Sequence, residues 1–168
     1  FKERGAEYIG VDNSEALIKL AQKRHPYAYF QVADALKLPL PDNFFDKVYS
    51  IAVFHHIPSK KFRVQFLKET KRVLKPKGLL ILSVWKFHKK KEILYFIKYT
   101  ILKLLKKSKL DFKDVLEPWA GKIERYYHWF SQKELIDLAE ESGFRVKEKG
   151  IIKNENSARR NIYLLLEK

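Results

Sequence analysis

Glu7-Tyr8-Ile9-Gly10-Val11-Asp12, answered by Tyr27-Ala28-Tyr29-Phe30-Gln31-Val32-Ala33-Asp34, is the stretch that decides the fold. Each run is short, rich in β-branched and aromatic residues, and ends on a carboxylate. Between them Leu17, Leu20 and Ala21 recur at helical spacing, with Asn13 or Ser14 as N-cap and Pro26 as terminator. Strand, helix and strand in so short a span predict a parallel pair, because parallel strands need a crossover. Working outward, the turn-rich Leu38-Pro39-Leu40-Pro41-Asp42-Asn43 leads into an expected strand from Phe45 to Val53. A helix from Lys60 to Leu74 follows, with Phe62, Phe66, Leu67, the Lys71 stem and Leu74 on one side, broken by Lys75-Pro76-Lys77-Gly78. Leu79 to Trp85 is almost continuously apolar, as a central strand covered on both faces would be. Near the end, Ser131 and Glu134 make a capping box for a helix with face Leu135, Leu138 and Ala139, stopped at Gly143. Phe144 to Ile152 and Asn161 to Leu166 then form a terminal antiparallel pair. The expectation is an α/β fold with a doubly wound, mostly parallel sheet and a terminal antiparallel strand.

The chain has 168 residues, 46% hydrophobic and 14% aromatic, enough for one sizeable core and too apolar for a disordered or fibrous protein. No apolar run approaches the roughly 20 residues that span a bilayer, and no signal peptide opens the chain, so a soluble cytoplasmic protein is expected. The absence of cysteine excludes disulfides and Cys-based zinc sites, and no metal site is expected. The chain contains no methionine and opens on Phe1-Lys2-Glu3-Arg4-Gly5, which reads as a helix end and marks it as a fragment. A formal charge of +15, from 35 Lys and Arg against 20 Asp and Glu, favours a polyanionic partner over a merely lysine-rich surface.

The charge is concentrated. Between Lys86 and Lys109 stand nine lysines (86, 89, 90, 91, 98, 103, 106, 107 and 109) against the single acid Glu92. Ile93, Ile97, Ile101, Leu104 and Leu105 recur there at helical spacing, so a basic amphipathic helix is expected, an insertion at about 86–112 in a single domain covering 1–168.

Carboxylates at two successive strand ends, Asp12 and Asp34, suit an adenosine cofactor, since ligands of doubly wound sheets sit outside the carboxyl ends of the strands and an acid there accepts ribose hydroxyls. The plainer reading is that Asp12 caps the next helix. Asp12, Asp34, Phe45-Asp46 and Arg72-Val73-Leu74-Lys75-Pro76-Lys77-Gly78 together, in this order and spacing, resemble the class I, Rossmann-like, S-adenosylmethionine-dependent methyltransferases. The resemblance implies S-adenosylmethionine as cofactor, with Asp12 on the ribose beside Asn13, Asp34 at the adenine with Ala35, and Ile51 and Val53 near the sulfonium. It also implies a first strand, first helix and glycine-rich turn upstream of Phe1, so that the chain is an N-terminally incomplete domain that alone is poorly stable and inactive.

Ser50-Ile51-Ala52-Val53-Phe54-His55-His56-Ile57, Val84-Trp85, Glu117-Pro118-Trp119, Arg125-Tyr126-Tyr127-His128 and Phe130 narrow the likeness further. They resemble the tRNA methyltransferases that esterify 5-carboxymethyluridine at the wobble position, differing at Phe54 and Glu117. That resemblance implies a substrate site of His55, His56, Trp119, Arg125 and Tyr126. It also implies a tRNA anticodon stem-loop held by Lys86 to Lys109, and a small activator subunit as a further partner. Each residue has a plainer alternative: strand-end histidines bonded to backbone, core tyrosines for Tyr126 or Tyr127, a loop anchor for Trp119. Arg125 is the most informative, because a guanidinium among aromatics suits a planar carboxylate or a phosphate. Two rival functions stay open. One is a quinone-biosynthesis-type small-molecule methyltransferase with the basic helix on an anionic membrane, and the other a non-catalytic subunit whose cofactor site has decayed.

Overall fold

A computed structural model describes residues 5–86, 90–119, 121, 123–153 and 160–168. The expected helix end at Phe1 to Arg4 and Lys89 of the basic segment lie outside them. The chain divides into two compact units, residues 1–41 and 42–168.

In the first unit β1 (Ile9–Asp12) pairs in parallel with β2 (Tyr29–Val32), Ile9 opposite Tyr29 and Asp12 opposite Val32, joined by α1 (Glu15–Arg24). The N-cap of α1 is Ser14, whose hydroxyl accepts from the Leu17 N–H at 3.3 Å. Asp12 Oδ1 accepts from the Ser14 N–H at 2.8 Å, so this carboxylate shapes the turn without being the cap. The helix buries Ile18, whereas Leu17 and Leu20 of the expected face are exposed.

The second unit holds a four-stranded sheet in the order β3 (Phe45–Ile51), β4 (Leu74–Lys86), β8 (Arg160–Glu167), β7 (Arg145–Lys153). β3 and β4 run parallel, and β8 is antiparallel to both β4 and β7, which bears out the terminal antiparallel pair. β4 lies inside the sheet, but its burial alternates: Leu80, Leu82 and Val84 are fully buried, while Leu79, Ile81 and Trp85 are half-buried. Its N-terminal part loops out over Lys75 to Gly78, with Lys77 at φ 63° and Lys75 Nζ 2.9 Å from Asp46 Oδ1. Gly78 is required there: a Cβ would lie 2.8 Å from the Lys75 carbonyl oxygen and 3.2 Å from that of Asp46.

α2 (Lys60–Val73) and α4 (Gln132–Glu141) pack on each other. The face that α2 buries is Arg63, Phe66, Leu67, Thr70 and Val73, rotated from the expected one so that Phe62 is exposed and an arginine is inside. α4 buries Leu135, Leu138 and Ala139 as expected and ends on Gly143 at φ 82°, a left-handed cap closed by the Phe144 N–H on the Ala139 carbonyl at 3.0 Å. Its capping box is half made. Ser131 Oγ accepts from the Glu134 N–H at 3.2 Å, but the Glu134 carboxylate bonds His128 and Lys113.

Around Pro118-Trp119, where a loop was expected, the chain forms a hairpin of β5 (Asp114–Trp119) and β6 (Ile123–His128). Pro118 is tolerated because each strand of a two-stranded sheet has an open edge. The register puts Val115, Glu117, Arg125 and Tyr127 on one face and Asp114, Leu116, Tyr126 and His128 on the other. Against the first face packs α3 (Lys90–Leu104), through Tyr95, Phe96 and Tyr99, in a cluster with Val115, Tyr127, Trp85 and Trp129. Aromatic residues therefore make the packed face of this basic helix. The aliphatic stripe Ile93, Ile97, Ile101 and Leu104 points outward, 41–66% exposed, because the core it meets is built from broad aromatic rings that match Tyr and Phe.

Candidate functional site

β3 ends at Ile51, where the Ala52 N–H donates to the Ser83 carbonyl at 3.0 Å and Ala52 reverses the chain at φ 56°. Positive φ is uncommon for a residue bearing a Cβ and is frequent at functional turns. The reversal opens a single 3-10 turn, Phe54–His56. Phe54 anchors it, fully buried, 5.3 Å from the Phe66 ring and stacked on Phe130 at 5.3 Å. This places His55 against the Trp85 indole at 4.5 Å and His56 at 5.4 Å, with the two imidazoles 4.2 Å apart. From β6, the Arg125 guanidinium carbon lies 5.9 Å from the Trp85 ring centre, within cation–π range. Four residues from three segments remote in sequence thus converge.

His56 Nδ1 lies 2.8 Å from the Tyr126 carbonyl oxygen. A carbonyl only accepts, so Nδ1 carries the proton and, in the neutral ring, Nε2 is the acceptor. Burial pushes the His56 pKa below its ordinary value, and the Arg125 charge adds to this against the opposing effect of the Tyr126 carbonyl bond. The ring is neutral at physiological pH. A neutral acceptor, a guanidinium and an indole face can together hold a planar anion attached to an aromatic ring.

The other face of the hairpin builds a second polar group. His128 Nδ1 is hydrogen-bonded with Asp114 Oδ1 at 2.6 Å and its Nε2 with Glu134 Oε1 at 2.7 Å. Lys113 Nζ donates to Glu134 Oε2 at 2.7 Å, and the Tyr126 hydroxyl donates to Asp114 Oδ1 at 2.7 Å. Burial alone would raise both acids. The bonds from His128 and Lys113 overcome it and hold the Glu134 carboxyl down at about 2, and those from His128 and Tyr126 lower Asp114. Burial first, then Asp114, pushes the Tyr126 phenol well above its ordinary value, so it stays protonated. A cavity of about 620 Å³ opens beside this network, lined among others by Lys60, Lys113, Lys133, Glu134, Asp137 and Glu141. Its lysines are paired with acids, Lys60 with Glu141, Lys113 with Glu134 and Lys133 with Asp137, so it has little charge to offer an ion.

The expected site residues separate accordingly. His55, His56 and Arg125 meet around Trp85. The Tyr126 backbone meets His56, but its hydroxyl joins the Asp114 network, and Tyr127 is a fully buried core residue. Trp119 ends β5 opposite Ile123, and its side chain lies outside the described part. Ile51 and Val53 flank the Ala52 reversal and are about half exposed. In the first unit Asp12 ends β1, whereas β2 ends at Val32 and Asp34 follows it by two residues, its Oδ1 accepting from the Leu36 N–H at 2.8 Å, with Asn13 exposed and Ala35 half-buried. Sequence reasoning missed Arg63, Asp114 and Glu134 as partners of the site. Only Arg63 left a trace, a charge in register with Phe66, Leu67 and Thr70.

The profile of a family described as a methyltransferase domain matches residues 1–82. The tRNA (carboxymethyluridine(34)-5-O)-methyltransferase of Schizosaccharomyces pombe is 33% identical over 165 residues, covering 84% of this chain and 66% of that protein. The chain spans 52% and 21% of the lengths of two further curated relatives. Among solved structures, a Methanosarcina mazei S-adenosylmethionine-dependent methyltransferase superposes with a TM-score of 0.80 at 22% identity, over 98% of this chain and 83% of that one. A methyltransferase in complex with the Haloferax volcanii Trm112 methyltransferase activator gives 0.67 at 16% identity, over 96% of this chain and 71% of that one.

Proposed function

We propose that this chain is a class I S-adenosylmethionine-dependent methyltransferase domain and that the protein methylates the carboxylate of a 5-carboxymethyluridine at the wobble position of tRNA. The observation that carries this reading is the convergence of His55, His56 and Arg125 on Trp85. The fission-yeast relative, named for that reaction, supports it.

The residues present fit the cofactor. Asp12 ends β1 and Asp34 lies two residues past β2, each with one carboxylate oxygen fixed by the following turn, which aims the group for ribose and adenine contacts. Asn13 and Ala35, beside them, would add to its binding. When bound, S-adenosylmethionine supplies a methyl group on a sulfonium. The acceptor carboxylate, with a pKa of about 4, is already ionised at neutral pH and needs no general base. The protein's task is then to orient and to exclude water. Arg125 grips the carboxylate in its planar fork, the Trp85 indole flanks the base with the fully buried His55 ring packed on that indole, and neutral His56 presents Nε2 to a base N–H. Since His56 carries no charge, Arg125 faces no cationic rival for the anion.

The partners follow from the same reading: an anticodon stem-loop along the lysines of α3 and the segment after it, and an activator subunit as in the Haloferax complex. A tRNA substrate fits a cytoplasmic location, and no described helix is long and apolar enough to cross a membrane. The decisive assay incubates full-length protein with S-adenosylmethionine and tRNA bearing 5-carboxymethyluridine, then identifies the nucleoside by mass spectrometry. An alkali-labile methyl ester is expected. Ester-free tRNA in the presence of the activator would overturn the reading.

A quinone-type methyltransferase at a membrane surface keeps one observation in its favour, the outward aliphatic stripe of α3 among lysines. Binding to anionic vesicles in preference to an anticodon stem-loop would select it.

A further inference from the structure

Arg63 is a cation where the helical pattern asks for an apolar side chain, and it is 2% exposed. A buried guanidinium is costly unless its charge and donors are met, so its partners say what it is for. Nη1 donates to the Ile57 carbonyl at 3.2 Å and to the Tyr126 hydroxyl at 3.1 Å. Asp114 Oδ1 lies 3.6 Å from the same nitrogen, and the Phe130 ring centre 5.8 Å from the guanidinium carbon. Because the Tyr126 hydroxyl gives its proton to Asp114, it presents a lone pair to Arg63. Ile57 directly follows the Phe54–His56 turn, and Tyr126 directly follows Arg125 on β6. One guanidinium therefore touches both segments that build the candidate site.

Neither segment is stiff by itself. The first is a single 3-10 turn, a form with poor hydrogen-bond geometry, and the second belongs to a two-stranded sheet, marginal in isolation. They meet directly in the His56 Nδ1 to Tyr126 carbonyl bond, which determines the ring nitrogen that carries the proton. We propose that Arg63 is a positioning residue. By bonding the Ile57 carbonyl and the Tyr126 hydroxyl at once, it holds the histidine turn against β6 and keeps His56 in its Nδ1–H form, with Nε2 as acceptor and Arg125 set across Trp85. What the aligned groups recognise rests on the proposed function; the alignment itself does not.

The test uses full-length protein labelled with ¹⁵N-histidine, the His56 ring signals being assigned from a His56→Gln spectrum. At neutral pH the parent protein should show a protonated Nδ1 and a bare Nε2. In Arg63→Met the pattern should drift toward a mixture of tautomers, and kcat should fall at least about tenfold with a smaller change in KM. Arg63→Lys should not restore it, because the lysine ammonium ends one bond short of Nη1, the nitrogen that makes both bonds. Tyr126→Phe keeps the backbone carbonyl but loses the hydroxyl, and should move the pattern the same way by less. An unchanged His56 pattern in folded Arg63→Met overturns the proposal whatever the activity. Should that variant fail to fold, an unchanged pattern in Tyr126→Phe overturns it instead. A parent protein whose His56 tautomer depends on Arg63, yet which never esterifies carboxymethyluridine, supports the clamp and sinks only the substrate reading.

Discussion

The two faces of the β5–β6 hairpin carry polar groups under opposite rules. On one face Asp114 and Glu134 flank the two ring nitrogens of His128, with Tyr126 and Lys113 supplying donors and Arg63 closing the far side. On the other, Arg125 lies over an indole beside two imidazoles, one of them held neutral. The first group matches acid to donor within itself, which is what burial demands of charge. The second brings flat aromatic faces together with a guanidinium, and that chemistry recognises planar anions and rings. Side chains two residues apart along one strand can share a role while their immediate neighbours serve another, since successive side chains point to opposite faces.

The comparison breaks most visibly at Asp114. Asp114→Ala leaves His128 and Arg63 without their shared anion in a buried place, so about 3–5 kcal/mol of stability should be lost, measured as a lower denaturant midpoint. A loss below about 1 kcal/mol would mean that the network is not what holds the hairpin. Arg125 is the counterpart on the other face. Arg125→Ala should leave stability within about 0.5 kcal/mol of the parent. It should cut catalytic efficiency on carboxymethyluridine tRNA at least about tenfold, the scale of one charge-assisted bond of about 1.5–3 kcal/mol. Arg125→Lys should not rescue it, since the ammonium lacks the planar fork. Loss of stability and activity together would move Arg125 into the structural class.

The pH dependence sharpens the contrast by a smaller amount. Glu134 has a folded pKa of about 2 against an ordinary 4.5, so its contribution to stability is fully present above about 4.5 and is lost as pH falls toward 2. Denaturant midpoints across that window should fall in the parent and fall less steeply in Glu134→Gln. An identical slope in both would show that Glu134 is not among the groups responsible. The smallest effect is expected at the rim of the cavity, where Lys60 and Glu141 pair at 2.8 Å with both side chains at least half exposed. Lys60→Ala should change stability by less than about 1 kcal/mol, as exposed pairs usually do. A larger loss, seen in the same denaturation experiment, would extend the network to the surface.

Much of the fold was legible in residue order. The β1–α1–β2 unit, the α4 stop at Gly143, the interior strand β4 and the antiparallel partnership of β7 and β8 are each written as a local period or a local breaker. His55, His56 and Arg125 were legible as candidates because their residue types are uncommon side by side and their neighbours form recognisable strings. Three things were not legible. The hairpin at 114–128 carries a proline and alternates polar with aromatic residues on both faces, so neither face gives a hydrophobic signal. The aliphatic stripe of α3 has the spacing of a packed face, yet Tyr95, Phe96 and Tyr99 took that place. Arg63 sits at a buried helical position that only a partner could justify.

What the sequence by itself determined is therefore the set of elements and the residues able to do chemistry, since periodicity, caps and breakers act over a few neighbouring residues. Which of those residues meet was decided only by the tertiary structure. His56 and Tyr126 are 70 positions apart and Arg63 and Tyr126 are 63 apart, and no local rule links them. The register of β5 on β6 sends Arg125 toward Trp85 and Tyr126 toward Arg63, and a one-residue slip would exchange the two faces. A buried charge tolerates no such exchange, because each donor and acceptor must find its partner in the one arrangement that satisfies them all.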